Sequence, residues 1–394
     1  MVKDAEVEPY DWCCEGRGGL DSWKSLGYIP VQDFDYKGFG TMTRSISRTL
    51  EYAYNDFCIS RMAASLGKTG DKEKYLESSG NWQNIFKPDQ PSRWWNGTDT
   101  GFKGFFQPRH LNKTWDFQDP LNCSNVDSVS VCSLQNTGRE TFESSIWEYG
   151  LYVPPPPSHP RFLTPLNSFV PHDQATLITL YGGPASFTSR LSYLHDQSIT
   201  YIGNEPAFLT VFQYHYAGRP ALSALRAHAY IPSSFSPTPG GLPGNDDSGA
   251  MGSFLAFAMM GLFPNPGQDV YLITPPFFEA VNITHPLTRN TARIKTVGFD
   301  AAYKSIYIQS ATLDGKAYTR NWLDHSFFTD GKELVLTLGR NESAWGTRVE
   351  DLPPSVGEYQ GFSNNGSSFA RRGMGGEEGF WRERGGYKGY FGRG

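Results

Sequence analysis

The sequence predicts a mainly α protein: an array of paired helices, then a small β region, then a disordered tail. Three observations carry that prediction. Apolar residues recur at helical spacing in several segments between residues 45 and 262. Beyond about Tyr271 the texture changes to period-two alternation. From about Gly361 the chain has too few aliphatic residues to build a core. The expected units are therefore 1–270, 271–357 and 358–394.

The segment SISRTLEYAYNDFCISRMAASL, Ser45 to Leu66, puts Leu50, Tyr54, Phe57, Cys58 and Met62 on one helical stripe. A second helix is expected over about Asp71 to Phe86, capped by Asp71 and carrying Tyr75, Leu76, Trp82 and Phe86. Joined by a short Gly-containing turn, the two make an αα-hairpin. Further helices are expected around Asp173 to Leu180, Ala185 to Asp196, Ala221 to Ala229 and Ser248 to Leu262. Helices separated by long, aromatic, Gly-rich loops suit a toroid of helix pairs whose active site is built from loops at one end. In the β region ARIKTVGF, KSIYIQSATLDGKAY and ELVLTLG alternate with period two, and Asp314-Gly315 signals a hairpin.

A proline-rich stretch, Pro154 to Val170, is bracketed by the dipeptide Val-Pro at both edges. Removing about 17 residues restores a continuous YVPHD. An in-frame insertion of unspliced sequence is the expectation, with a Pro-rich surface loop as the alternative.

The chain has 394 residues, 35 Lys or Arg and 40 Asp or Glu, for a formal net charge of −5. That balance argues against a strongly basic nucleic-acid binder. The Arg-Gly and aromatic residues of the tail resemble RNA-binding tracts in composition only, so no nucleic-acid partner is expected. No apolar run approaches the roughly 18 residues of a membrane span, and mean hydropathy is −0.46. No membrane partner is expected either. Aromatic residues reach 15%, a profile that sugar-handling proteins share with proteins having large aromatic cores.

The first residues, MVKDAEVEPYDWCCEGRGG, lack the apolar stretch of a secretion signal. Other features point outside the cell. Glycosylation sequons occur at Asn96, Asn112, Asn122, Asn282, Asn341 and Asn365. The five cysteines are Cys13, Cys14, Cys58, Cys123 and Cys132, with no paired CxxC motifs of a zinc site. Cys123 and Cys132 bracket a short polar loop whose length suits a disulfide in an oxidising compartment, with two free thiols as the alternative. Cys58, on a helical stripe, reads as an inert core residue.

Three clusters set acidic and amide residues in apolar, Gly-containing contexts. They are Glu143, Trp147 and Glu148 in ETFESSIWEYG, Asn204 and Glu205 in YIGNEPAF, and Asn245, Asp246 and Asp247 in GLPGNDDSGAMG. Each has a plain explanation: Glu205-Pro206 can precede a helix, Asp246 or Asp247 can cap the helix that follows, and Glu143 can face solvent. Together they supply the two carboxyl groups of glycoside hydrolysis, one protonated and one ionised. They also supply hard oxygen ligands that suit Ca²⁺ better than zinc.

The strings ESSIWEYGLYVP, YIGNEPAFLTVFQYHYAGRP and GGLPGNDDSGAMGSFLAFAMMGLFPNPG, in this order, resemble glycoside hydrolase family 92, the calcium-dependent exo-α-mannosidases, especially its fungal-type members. TLEYAYNDFCISRMAASLGK and LTLGRNESAWGTRVEDLPPSVG are similar to the same family, and the resemblance runs from about Gly18 to Gly357. It implies inverting hydrolysis of terminal α-linked mannose, in many members α-1,2-linked, on an (α/α)6 toroid coupled to a β-sandwich. The expected fold is therefore a partial (α/α)6 toroid with a small C-terminal β region and a disordered tail.

The resemblance also implies roles. Glu143 matches the general acid, and Phe142, Ile146 and Trp147 are expected to desolvate it. Asp247 matches the general base; Asn245 stands where many bacterial members carry a second Asp. Asn204 and Glu205 match calcium ligands, the ion engaging the O2 and O3 hydroxyls of mannose. Glu148 lies near the metal in the motif, while His172 and Asp173 look like scaffold. The implied partners are mannose-containing glycans, N-glycans or mannan, and the implied location of the intact family member is extracellular. Family members begin with a β-sandwich that does not precede Tyr10, so this chain is expected to be the C-terminal half of such an enzyme. The alternative function is a catalytically inactive fragment acting at most as a mannose-binding or assembly module.

Overall fold

A computed structural model describes residues 1–11, 16–32, 43–130, 132, 139–152 and 173–362. The proline-rich stretch, His172, Cys13, Cys14, Asn365 and the tail beyond 362 lie outside the described residues. Two short helices, α1 (Val2–Glu6) and α2 (Leu20–Leu26), precede the long α3 (Ser45–Ser65) and α4 (Thr69–Ser78). The last two form the expected hairpin. Its apolar seam differs from the expected stripe. Ile46, Leu50, Ala53 and Phe57 are buried, whereas Met62 is exposed and Cys58 only half-buried. Asp56 also faces inward. It pairs with Arg17 at 2.7 Å and accepts hydrogen bonds from Trp23 Nε1 and Ser78 Oγ, tying α2 and α4 to α3.

The second helix is shorter than expected. It ends at Ser78, a single 3-10 turn covers Asn81–Ile85, and Phe86 opens a strand instead. That strand, β1 (Phe86–Arg93), pairs antiparallel with β2 (Asp99–Phe106). Pro88 and Pro91 and glycines at 101 and 104 hid the hairpin from a reading of periodicity, and the register shifts around Pro91.

After the hairpin come α5 (Ile146–Tyr152), α6 (Gln174–Leu180), α7 (Pro184–Asp196), α8 (Phe208–Phe212), α9 (Pro220–Ser234) and α10 (Ala250–Met260). Pro184 and Pro220 stand at first helical positions, where the missing N–H costs nothing. Consecutive helices pack on one another, α6 on α7, α8 on α9 and α9 on α10, as helix pairs of a partial (α/α)6 toroid do.

The β region follows. Strands β3 (Leu262–Pro264) and β4 (Tyr271–Ile273) join β9 (Trp322–Leu323) in a small sheet. A second sheet holds β5 (Ala280–Thr284), β6 (Thr291–Val297), β7 (Tyr307–Leu313), β8 (Lys316–Ala317) and β10 (Glu333–Gly339) in the order β5-β6-β10-β7-β8. Only the β6/β10 pair is parallel. The turn between β7 and β8 is the predicted Asp314-Gly315, with φ of 49° and 76°. One short helix, α11 (Ser326–Asp330), precedes β10.

Two large apolar clusters and one small one (Ala5, Ile59 and Tyr75) organise the described residues, and the two large ones interleave along the chain, Leu262 and Ile273 in one and Phe263, Val270 and Leu272 in the other. The larger is aromatic. Arg190, 1% exposed, sits at its centre with its guanidinium 4.0 Å from the Phe105 ring, 4.1 Å from Tyr181 and 4.9 Å from Trp147. It donates to the carbonyls of Lys103 and Gly104, which fastens β2 to α7 without a carboxylate partner. Much of the aromatic surplus therefore serves the core. The two large clusters are joined by polar contacts: His215 Nε2 lies 2.8 Å from the Ile273 carbonyl, and Asn321 Nδ2 donates to the His215 and Gly346 carbonyls.

Candidate active site

Glu143 lies on the loop before α5, and that loop is held from several sides. Its backbone adopts φ 57°, a left-handed conformation that a Cβ disfavours. The Glu143 N–H donates to the Cys132 carbonyl at 2.9 Å, and the Glu143 carbonyl accepts from Asn204 Nδ2 at 2.9 Å. Cys132 is disulfide-bonded to Cys123, resolving the alternative left open by spacing. The helix begins with a capping box. Ser145 N–H donates to Glu148 Oε2 at 2.8 Å, and Glu148 N–H returns a bond to Ser145 Oγ. Trp147, expected to shield Glu143, turns into the core: it stacks on Tyr193, and its Nε1 donates to Ser92 Oγ.

The Asn204-Glu205 loop is joined to this one. Asn204 Nδ2 also donates to Ser144 Oγ, and Thr200 Oγ1 donates to Glu148 Oε1 at 3.0 Å. Glu148 is thus spent on two loops. Burial pushes its carboxyl up to about 6, against the hydrogen bonds that favour the ionised form. Glu205 starts a short 3-10 turn that runs into α8, as the plain explanation required. Yet its Oε1 is buried with no hydrogen-bond partner. A buried carboxylate oxygen without a partner costs free energy unless a cation or donor completes it.

The third loop carries Asn245, Asp246 and Asp247, all exposed. Asp246 is the residue that serves the helix. Its Oδ1 accepts the Gly252 N–H at 2.9 Å and its carbonyl the Ala250 N–H, in the first turn of α10. Asp247, with φ 33°, is followed by Ser248 and Gly249, also at positive φ, so the chain turns sharply at the second acid. The loop is clamped to its neighbour: Tyr201 Oη donates to the Pro243 carbonyl, and a Cβ on Gly244 would collide with the Gly203 carbonyl.

The charges of Asp247 and Glu205 both act on Glu143. The Glu143 carboxyl is raised above the ordinary range by desolvation first, then by the charges of Asp247 and Glu205. Glu51 of α3, which the sequence reading passed over, joins them. Its side chain is reachable by solvent, yet the protein around it raises its carboxyl, with Arg48 opposing and Glu143 adding. The geometry behind this is the docking of α3 on the acid loop: Ile46 and Ser47 N–H donate to the Glu140 carbonyl, and Ser45 N–H to Glu140 Oε2. Glu51 lies one turn beyond Ser47 on the same face. Asp173 is scaffold, as expected, its Oδ1 accepting from Thr176, Ser355 and Gly357.

Among the described residues, no three His, Cys, Asp or Glu side chains group as a metal cluster. The fit to calcium rests instead on the unpartnered Glu205 oxygen and the amide of Asn204. Its Nδ2 is engaged as a donor, so a cation bound there would meet the hard carbonyl oxygen of the amide.

Comparison with known proteins bears on the fold and the family. An uncharacterized secreted glycosidase of Arthroderma benhamiae is 60% identical over 357 residues, 91% of this chain and 44% of the relative. Two solved structures of Bacteroides thetaiotaomicron share the fold. The GH92 α-mannosidase BT3965, in complex with mannoimidazole, has a TM-score of 0.69 at 22% identity, over 86% of this chain and 41% of its own. The GH92 inverting mannosidase BT2199 has a TM-score of 0.70 at 23% identity, over 90% and 44%. The chain thus spans less than half the length of these relatives. The family profile described as the glycosyl hydrolase family 92 catalytic domain matches residues 1–158 and 165–340, its break falling inside the proline-rich stretch. With all three acidic loops inside that match, the chain belongs to glycosyl hydrolase family 92.

Proposed function

We propose that this chain carries the acid and base of an inverting exo-α-mannosidase that removes terminal α-linked mannose, α-1,2 linkages among them, from N-glycans or mannan. The observation that carries the reading is the joining of three separate loops, Asn204 Nδ2 donating to the Glu143 carbonyl and Tyr201 Oη to the Pro243 carbonyl, which gathers the segments of Glu143, Glu205 and Asp247. The mannosidase names of the structural relatives support the substrate class. The secreted relative and the Cys123–Cys132 bond support an extracellular location.

Glu143, its carboxyl raised, keeps a proton at pH values where an ordinary glutamate has lost it. It gives that proton to the glycosidic oxygen as the bond to the anomeric carbon breaks. Asp247, which Asp246 relieves of capping, takes a proton from water entering on the opposite ring face. Asn245 lines the same loop as a neutral neighbour. Asn204 and Glu205 would hold calcium, which supplies Lewis-acid contact to sugar hydroxyls when bound. Asn204 also donates to the Glu143 carbonyl, a single bond that joins the ligand loop to the acid loop.

Kinetics with α-1,2-mannobiose tests the reading. Glu143→Gln and Asp247→Asn are each expected to lower kcat about 10²–10⁴-fold. Activity retained within a few-fold in either variant overturns that residue's role.

A further inference from the structure

We infer that the Cys123–Cys132 disulfide is a positioning element for Glu143, holding the acid loop in its working conformation. The inference rests on the reading of Glu143 as the general acid. The described residues of the loop between the two cysteines, 124–130, form a platform. Asp127 accepts the N–H groups of Cys123, Val129 and Ser130 at 3.1, 2.9 and 3.1 Å, folding the loop on itself. Asn125 then docks it, donating its backbone N–H to the Ile199 carbonyl and Nδ2–H to Ser198, each at 3.0 Å. Those carbonyls directly precede Thr200 and the Asn204-Glu205 loop.

From this platform the disulfide, with a Cα separation of 5.8 Å, delivers Cys132 to the acid loop. The Cys132 carbonyl accepts the Glu143 N–H at 2.9 Å, and its sulfur lies 3.3 Å from Thr141 Oγ1. Thr141 Oγ1 in turn accepts from Gln118 Nε2, whose Oε1 accepts the Glu140 N–H. Glu143 needs such support, because a non-glycine residue at φ 57° persists only where its neighbours impose it. Cutting the tether frees the carbonyl that holds its amide. The backbone of Glu143 then relaxes, and a displacement of about 1 Å is enough to cost about 10²-fold in rate. Asp247 is held by a different clamp, Tyr201 to Pro243, and stays in place. The loss should therefore fall on proton donation alone.

The Cys123→Ser/Cys132→Ser double variant tests this with two substrates. With α-1,2-mannobiose, whose sugar leaving group needs a proton, kcat is expected to fall about 10- to 100-fold. With 2,4-dinitrophenyl α-mannoside, whose phenolate leaves unassisted, the change should stay within about threefold. Equal losses on both substrates would mean a general structural role and overturn the inference. If the wild type cleaves neither substrate, it is the functional reading that fails, and amide hydrogen exchange decides the positioning separately. Segment 139–145 should exchange faster in the variant while β10 keeps its protection; unchanged exchange in 139–145 contradicts the tether. Should the serine pair lose its fold, the wild type is reduced with dithiothreitol, which passes two electrons and two protons to the sulfurs and closes to its own disulfide. Pulse labelling while β10 remains protected then gives the same reading.

Discussion

The helical body and the C-terminal sheet are built from different materials. The body packs rings: Phe208 stacks on Phe254 at 4.2 Å, Phe212 on Phe263 at 4.3 Å, and Arg190 is enclosed by Phe105, Tyr181 and Trp147. The five-stranded sheet presents mainly aliphatics from its strands, with Leu334, Leu336 and Leu338 of β10 facing inward in strict alternation, and takes Phe327, Phe328 and Trp345 from the flanking segments into the same cluster. Every candidate site residue lies in the body or on its loops, and none in the sheet. Broad rings and buried polar ties let irregular loops hold positive-φ acids in place. A sheet with one repeating face gains stability but offers few such positions.

The largest expected effects separate the two regions. Glu143→Gln should remove most activity while leaving the melting temperature near that of the wild type, since the side chain is exposed. Leu336→Ala should do the reverse. Its fully buried side chain leaves a cavity in the sheet and costs about 2–5 kcal/mol by denaturant unfolding, with kcat per folded molecule unchanged. A loss of kcat from Leu336→Ala at temperatures where it stays folded would break the distinction.

A smaller effect comes from Asp173, which anchors Ser355 and Gly357 to the start of α6. Burial raises its carboxyl from 3.8 to about 6, and its Oδ2 is buried without a partner. The neutral form is favoured in the folded state, so its contribution is complete below pH 3.8 and is lost as pH rises through 6. About two pH units at about 1.4 kcal/mol each give a loss of about 3 kcal/mol. Buried His195, His215 and His228 act in the opposite direction, since burial lowers them to about 3, 4 and 4. The difference between Asp173→Asn and wild type isolates the one group. It should grow in favour of the variant between about pH 4 and 6. A difference constant across that range would contradict the assignment.

The same contrast explains what the sequence disclosed. β6, β7, β10 and the Asp314-Gly315 turn were legible because alternation and turn chemistry are local. The α3 helix was legible for the same reason, although its buried face includes Asp56, a polar residue that periodicity does not count. The β1/β2 hairpin was not, because Pro88, Pro91 and Gly104 break the strand pattern while tertiary contacts to α5 and α7 hold it. Within the site, the acidic clusters were visible as strings, and the division of labour between Asp246 and Asp247 was not. That division depends on which carboxylate reaches the Gly252 N–H, a matter of three successive positive-φ residues. The Ser145-x-x-Glu148 box was present in the sequence and would have assigned Glu148 to the helix start. Glu51 carried no local signal, since only the docking of α3 on Glu140 brings it to the acid loop.

The central claim is that Glu143 and Asp247 act from opposite faces of one sugar. Proton NMR of the free mannose first released from methyl 2-O-α-mannosyl-α-mannoside, whose leaving half stays locked as the methyl glycoside, tests it most directly in the presence of calcium. The account predicts β-mannose first, relaxing to the equilibrium mixture afterwards. Initial release of α-mannose would require Asp247 to attack the sugar itself and would contradict the account.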